Sequence, residues 1–132
     1  MKLHHIGVVV GDIEKAIDEI KEIIDFDEIT NPIHIQTQKV NVSFLKIEKM
    51  KIEFIESINN ESPVSRFSEN GGGIHHLCFE VKNIHEEIKK FKKKGCRIIV
   101  EPTLGFENRL IAFVFLNLKN SKVNLIELAE EK

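Results

Sequence analysis

Four side chains of the types that bind metal ions stand inside apolar stretches of this 132-residue sequence. They are His5, Glu53, His76 and Glu127. An ionised glutamate on a largely buried strand is costly in free energy unless it is paired or bound to a metal. Two neutral imidazoles and two carboxylates suit a divalent first-row cation, whose charge the carboxylates would balance. The set therefore predicts a metal site, and an octahedral ion held by four ligands would keep two positions open for a substrate.

An internal repeat must position these side chains. Residues 5–13 match residues 76–84 in pattern, at a constant offset of 71 positions. Each copy begins with histidine, continues as a strand and runs into an Asx residue, Asp12 or Asn83, which is a favoured helix N-cap. One repeat period in so short a chain indicates a domain with pseudo-twofold symmetry, since a solenoid needs more repeats.

Similar elements are expected after the start of each copy. Helical periodicity of apolar residues runs over 13–24 in the first copy and over 84–91 in the second. Three strand patterns then follow each helix, at 27–35, 40–47 and 51–56 in the first copy and at 97–100, 110–116 and 123–128 in the second. The predicted fold class is therefore α+β: two tandem βαβββ modules that form a cupped mixed sheet.

The length and the absence of a Pro/Ser-rich linker predict a single domain, residues 1–132. Its parts are a first module at 1–58, a linker at 59–73 and a second module at 74–132. Within the linker, residues 62–67 are expected to form a short helix with Pro63 in its first turn. The three consecutive glycines at 71–73 are interpreted as a flexible connector, because they lack the lysine and the spacing of a phosphate-binding loop.

Strand alternation predicts which face each candidate ligand occupies. In the first strand Ile6, Val8 and Val10 share one face, and His5 lies opposite. The same pattern places the other three candidates opposite the apolar residues of their own strands. His76 lies opposite Leu77, Phe79 and Val81. Glu53 lies opposite Ile52 and Phe54, and Glu127 lies opposite Ile126 and Leu128. If the helices cover the apolar faces, the four polar side chains share the other, concave side.

A structural role is the alternative for each histidine taken alone. A single histidine beside a strand is more often a satisfied core or edge residue than a ligand. The recurrence of histidine and glutamate at equivalent places in both copies favours the metal site. His4 and His75 precede the ligands and face the other way, so we expect them to be structural, whereas His34 and His85 are expected at the surface.

Composition and charge exclude several classes of protein. A formal net charge of −2 gives no electrostatic footprint for nucleic acid or a membrane surface. No apolar segment approaches the roughly 20 residues of a membrane span, and the first residues lack the apolar core of a signal peptide. Two cysteines, Cys78 and Cys96, form neither a disulfide framework nor a metal motif. We therefore expect a soluble cytoplasmic protein.

Taken together and in order, the motifs of the chain resemble those of the vicinal oxygen chelate superfamily. They are most similar to methylmalonyl-CoA epimerases and, more loosely, to the glyoxalase I group. The segments that carry the resemblance are 5–10, 38–40 with Phe44-Leu45, 51–53, 62–64, 73–76, 79–81 and 125–128. They span essentially the whole chain and are more specific for the superfamily than for a substrate, because this fold hosts several chemistries.

The resemblance implies that His5, Glu53, His76 and Glu127 bind a divalent ion such as Co, Mn, Ni or Zn. It implies a metal-dependent epimerase or isomerase that moves the α-proton of an acyl-CoA thioester, or of another carbonyl compound, through a metal-stabilised enolate. Glu127 is the expected base, and Glu53 or a bound water is the expected second proton carrier. The family likeness also implies a homodimer.

Some features depart from the epimerase pattern. A further, non-ligand glutamate of some epimerases corresponds here to Val42, and the glycine-rich stretch after the sixth strand is replaced by residues 105–109. Two alternatives therefore stay open beside the epimerase. One is a glyoxalase-type lyase or isomerase that acts on a thiol adduct or a sugar-derived carbonyl compound. The other is a non-catalytic small-molecule binding protein of the same fold.

Overall fold

A computed structural model describes the whole chain, residues 1–132. Its elements, in chain order, are β1 (Lys2–Val9), α1 (Ile13–Lys21), β2 (Glu28–Ile29), β3 (Ile33–Ile35), β4 (Val40–Ile47), β5 (Met50–Ser57), α2 (Ser65–Glu69), β6 (Gly73–Val81), α3 (Ile84–Lys93), β7 (Arg97–Leu104), β8 (Leu110–Phe115) and β9 (Leu125–Glu130). Two short 3₁₀ turns, Gln36–Gln38 and Phe106–Asn108, precede β4 and β8. No helix is long and apolar enough to cross a membrane.

The chain divides into two compact units. The N-terminal unit is His5–His75, and the C-terminal unit combines Met1–His4 with His76–Lys132. Both contain parallel and antiparallel strand pairs together with helices, which confirms the predicted α+β class with mixed pairing. The organisation as one domain stays a prediction.

In the N-terminal unit the strands follow the order β2-β4-β5-β1, and β3 also pairs with β4. β1 and β5 run parallel, so that Gly7 is the neighbour of Glu53, while β4 and β5 are antiparallel. Ile13 of α1 packs with Leu45 and Phe54 in a buried cluster. The apolar strand face therefore receives the helix, as the alternation predicts.

Helix α1 begins where expected and ends earlier than expected. The Asp12 side chain accepts a hydrogen bond from the Lys15 backbone N–H, as an N-cap does. The helix stops at Lys21, so the predicted extension to residue 24 is wrong. Ile23 is 82% exposed, because the chain leaves the helix axis before its side chain could reach the core.

The strand predicted over 27–35 is two short strands in the structure. β2 pairs with Leu45 and Lys46, and β3 pairs with residues 40–42. Asn31-Pro32 separates them. Proline has no N–H to donate to a sheet ladder, and this accounts for the break.

In the C-terminal unit the strands follow the order β6-β9-β8-β7, with β6 and β9 parallel. Ile84 and Ile88 of α3 pack with Val81 and Leu128 in a buried cluster. The helix starts at the Asn83 cap and ends before Gly95, whose φ of +84° suits glycine. β7 continues to Leu104 and β9 covers 125–130, so both strands reach further along the chain than predicted.

The segment between the two repeat copies forms α2 and a glycine turn. The helix begins at Ser65 rather than at residue 62, so Pro63 lies before the helix and not in its first turn. Gly71 and Gly72 have positive φ, and Gly73 already belongs to β6. The three glycines thus end the connector and start the strand that carries His76.

Candidate metal centre

The N-terminal unit brings His5 and Glu53 together. Glu53 on β5 lies opposite Gly7 in the parallel ladder, and His5 lies two residues before Gly7 on the same face of β1. His5 Nε2 is 3.4 Å from Glu53 Oε1. The two residues are 0% and 4% exposed, so the pair is buried.

The C-terminal unit repeats this geometry. Glu127 on β9 lies opposite Cys78, and His76 lies two residues before Cys78 on the same face of β6. His76 Nε2 is 3.5 Å from Glu127 Oε1, and both residues are 2% exposed. Each unit therefore presents one buried histidine–glutamate pair on the strand face that the helix does not cover.

The separations of nitrogen and oxygen fit metal ligation. They exceed the 2.7–3.2 Å or so of an ordinary N–H···O hydrogen bond. Bonds of about 2.0–2.2 Å to a first-row ion place two adjacent ligand atoms roughly 3–3.5 Å apart. Imidazole with carboxylate is also the donor chemistry that such ions accept. Each buried pair can thus supply two ligands to a divalent cation.

A phenylalanine packs edge-on against each histidine. The ring of Phe44, which lies opposite Glu53 in the β4–β5 ladder, is 5.3 Å from the His5 ring at an interplanar angle of 75°. Phe113 lies opposite Glu127, and its ring is 5.3 Å from the His76 ring at 88°. These contacts restrict imidazole rotation and keep the pairs apolar on one side. The sequence alone does not predict these phenylalanine–histidine contacts, because they depend on the register between strands.

The remaining histidines lie outside the pairs. His4 and His75 are half-buried and contact the rings of Phe106 and Phe67, the first pair tilted and the second edge-to-face, at ring separations of 5.1 and 5.0 Å. The structural roles expected for them stay a prediction.

His34 and His85 are exposed, as expected. His34 nevertheless has hydrogen-bond partners, Gln36 and Asn41, at 2.7 and 3.4 Å. The sequence alone indicates no hydrogen-bond partner for His34.

Comparison with known proteins agrees with this fold. The family model of the Glyoxalase/Bleomycin resistance protein/Dioxygenase superfamily matches residues 4–113. The mitochondrial methylmalonyl-CoA epimerase of Dictyostelium discoideum is 30% identical over an alignment of 133 residues, which covers 98% of this chain and 78% of that protein. The ethylmalonyl-CoA/methylmalonyl-CoA epimerase of Cereibacter sphaeroides is 29% identical, with coverage of 98% and 97%.

A solved structure extends the likeness to three dimensions. The hypothetical protein BH1468 from Bacillus halodurans matches with a TM-score of 0.87 and 32% identity, covering 99% of this chain and 94% of that one. The chain thus belongs to the glyoxalase/bleomycin resistance/dioxygenase superfamily, the vicinal oxygen chelate proteins. Within that superfamily its curated relatives include methylmalonyl-CoA epimerases, which confirms the resemblance seen in the sequence.

Proposed function

We propose that this protein is a metal-dependent epimerase that interconverts the stereoisomers of a 2-methyl-branched malonyl-CoA thioester, methylmalonyl-CoA in the first instance. The observation that carries the proposal is the buried histidine–glutamate pair that recurs in both units. A carboxylate that is almost fully buried needs a compensating charge, and a divalent cation provides one. The epimerase names of the curated relatives support the choice of reaction.

We propose that the two pairs act together, so that His5, Glu53, His76 and Glu127 hold one ion of Co, Mn, Ni or Zn. The two carboxylates would neutralise its charge, and the four protein ligands would leave open positions for substrate oxygens. When bound, the ion supplies Lewis-acid stabilisation of the negative charge that develops on the thioester oxygen after proton loss.

Two carboxylates of the chain are assigned to proton transfer. Glu127 removes the α-proton, and Glu53, or a water molecule beside it, returns a proton to the opposite face of the planar carbon. Val42 is 1% exposed and pairs with Ile55, so the position that matches the extra glutamate of some epimerases offers no titratable group here. Phe44 and Phe113 exclude water from the histidine sides of the pairs.

A glyoxalase-type lyase or isomerase is the second candidate. The 3₁₀ turn at Phe106–Asn108 and Arg109 stand where the epimerase pattern has a glycine-rich stretch. Glu107 and Asn108 adopt positive φ there, and Arg109 contacts Glu80. This departure from the epimerase pattern is the feature that keeps a substrate other than a CoA thioester as a candidate. A non-catalytic binding protein is the third reading.

The test is proton exchange on defined substrates. The purified protein is analysed for metal, reconstituted with Co²⁺ or Mn²⁺, and incubated in deuterated water with methylmalonyl-CoA or with the hemithioacetal of methylglyoxal and glutathione. The epimerase predicts that deuterium enters the α-position of the thioester while the stereoisomers equilibrate, and that a chelator stops both. Turnover of the hemithioacetal alone would favour the lyase, and binding without exchange would favour the third reading.

One variant tests the assignment of the base. Glu127→Gln keeps the size of the side chain and removes its basicity, so exchange should fall by about 10²–10⁴-fold. Glu101→Gln, at an exposed position of β7, is the matched control and should exchange at the wild-type rate. Full activity of Glu127→Gln would exclude the proposed base.

Assembly and location complete the proposal. We propose a homodimer on the strength of the family likeness alone, and a cytoplasmic location because two cysteines are too few for a disulfide framework. Sedimentation equilibrium of the purified chain should give twice the monomer mass, and a monomer at micromolar concentration would contradict this part.

A further inference from the structure

A second glutamate on each ligand strand binds the start of the neighbouring helix. In the N-terminal unit, Glu56 Oε2 accepts a hydrogen bond from the backbone N–H of Ile13 at 2.8 Å. In the C-terminal unit, Glu130 Oε2 accepts one from the backbone N–H of Ile84 at 3.0 Å. Glu56 and Glu130 each follow the candidate ligand of their own strand by three residues.

These contacts are not ordinary helix caps. The local caps are already present, since Asp12 accepts from Lys15 N–H and Asn83 accepts from Glu86 N–H. Glu56 and Glu130 reach the same helix ends from 43 and 46 residues away. A carboxylate is well suited to these ends because the first N–H groups of a helix are unpaired and carry partial positive charge.

The contacts connect the two strands of each histidine–glutamate pair. α1 starts four residues after β1 ends, so the position of its first N–H follows the position of β1, the strand that carries His5. Glu56 belongs to β5, the strand that carries Glu53. Glu56 also accepts a hydrogen bond from Asn41 Nδ2 of β4 at 3.3 Å, which holds the carboxylate from its other side.

Strand register decides whether a histidine and its glutamate can meet. A slip of two residues between β1 and β5 would keep every apolar side chain on its own face. It would nevertheless displace Glu53 along β1 by about 6.6 Å, at about 3.3 Å per residue. Because such a slip would also break the bond from Glu56 to Ile13, that bond favours the register in which His5 and Glu53 are 3.4 Å apart.

We propose that Glu56 and Glu130 are positioning residues, which lock each ligand strand to its histidine strand through the helix N-terminus. This inference rests on the proposed metal site. The recurrence supports it: Glu56 and Glu130 are 74 positions apart, as are Glu53 and Glu127.

The experiment compares a long-range with a local contact at one helix end. Glu56→Ala removes the bond to β5, and Asp12→Ala removes the local cap without touching the ligand strand. Both should lower the melting temperature by similar amounts. Only Glu56→Ala should weaken Co²⁺ binding, by about 10–100-fold in calorimetry, and alter the visible spectrum of the bound Co²⁺. Glu56→Gln, which still accepts a hydrogen bond, should restore most of the affinity.

Amide hydrogen exchange supplies a readout that needs no metal. In Glu56→Ala the amides that bond β1 to β5, such as that of Val10, which donates to the Ile55 carbonyl, should exchange faster, whereas Asp12→Ala should affect the amides of α1. Equal effects of the two variants on Co²⁺ affinity and on ladder exchange would overturn the proposal. If the wild-type protein binds no Co²⁺, the metal site fails, and ladder exchange still decides whether Glu56 sets the register.

The C-terminal unit offers an independent repetition. Glu130→Ala removes the contact to Ile84, and Asn83→Ala is its matched control. The same contrast is expected in Co²⁺ affinity and in exchange from the β6–β9 ladder. If the contrast between variant and control appears in only one unit, the proposal that both Glu56 and Glu130 are positioning residues is overturned.

Discussion

At the residue scale, the two histidine–glutamate pairs agree in geometry and differ in their neighbours. Glycine stands opposite Glu53 on β1, whereas Cys78 stands opposite Glu127 on β6. Gly7 places no side chain beside the first carboxylate. Cys78, which is 0% exposed, puts a buried thiol on the face of the second. The two carboxylates therefore have unlike surroundings.

A partly buried ion pair predicts how stability depends on pH. Arg109 Nη1 donates to Glu80 Oε2 at 2.5 Å, and the Arg109 side chain is only 9% exposed. This hydrogen bond is the main cause that holds the pKa of Glu80 below its ordinary value of 4.5. A lowered pKa stabilises the fold above the pKa of the unfolded chain, and that contribution is lost as the pH falls through the folded value.

Glu80→Gln should consequently lower the free energy of unfolding at pH 7 by on the order of 1 kcal/mol. It should also flatten the loss of stability that the wild-type protein shows as the pH falls below about 4.5. Urea unfolding at pH values from 7 to 3 measures both effects. Glu19→Gln, on the exposed side of α1, is the control. Parallel pH profiles for Glu80→Gln and wild type would contradict the prediction.

At the element scale, the glycine turn before β6 depends on one close backbone approach. A Cβ atom on Gly72 would lie 2.4 Å from the carbonyl oxygen of Val9, and the φ of Gly72 is +69°. Both the clash with backbone and the left-handed conformation disfavour any other residue. This turn leads into the strand that carries His76.

Gly72→Ala should therefore destabilise the fold by at least about 1–3 kcal/mol. Gly11→Ala is the matched control, because a Cβ there meets nothing within 4 Å, and its φ is not positive. The control should stay within about 0.5 kcal/mol of the wild-type stability. Chemical denaturation of the two variants tests the contrast, and equal stabilities would show that the turn can relax.

At the scale of the whole molecule, the proposal of one shared site predicts a stoichiometry. Calorimetry should find one divalent ion per chain. Both His5→Ala and His76→Ala should weaken binding of that same ion. If each histidine–glutamate pair bound its own ion, the wild type would bind two ions, and each variant would lose only one of them. At a free metal concentration of about 100 times Kd, binding adds about 2.7 kcal/mol to folding, which raises Tm by roughly 5–15 °C. A chelator should reverse this rise.

Much of the architecture was predictable because it follows from local periodicity. Alternation alone placed His5 and Glu53 on the face opposite to Val8 and Phe54, and the structure puts those apolar residues against α1. Asp12 and Asn83 cap the helices as their residue types predict. The errors lie at element ends, where the chain leaves one direction for another. At the break between β2 and β3, Asn31-Pro32 is a signal that the sequence itself contains.

The sequence by itself determined the repeat, the residue types of the candidate site and the strand face on which each candidate ligand stands, because these depend on neighbours within a few positions. Only the tertiary structure decided that Phe44 meets the edge of the His5 ring, that Cys78 lies opposite Glu127 and that Glu56 reaches the N–H of Ile13. These three contacts depend on strand register. Register is settled by many pairings between distant segments, and no local pattern records it.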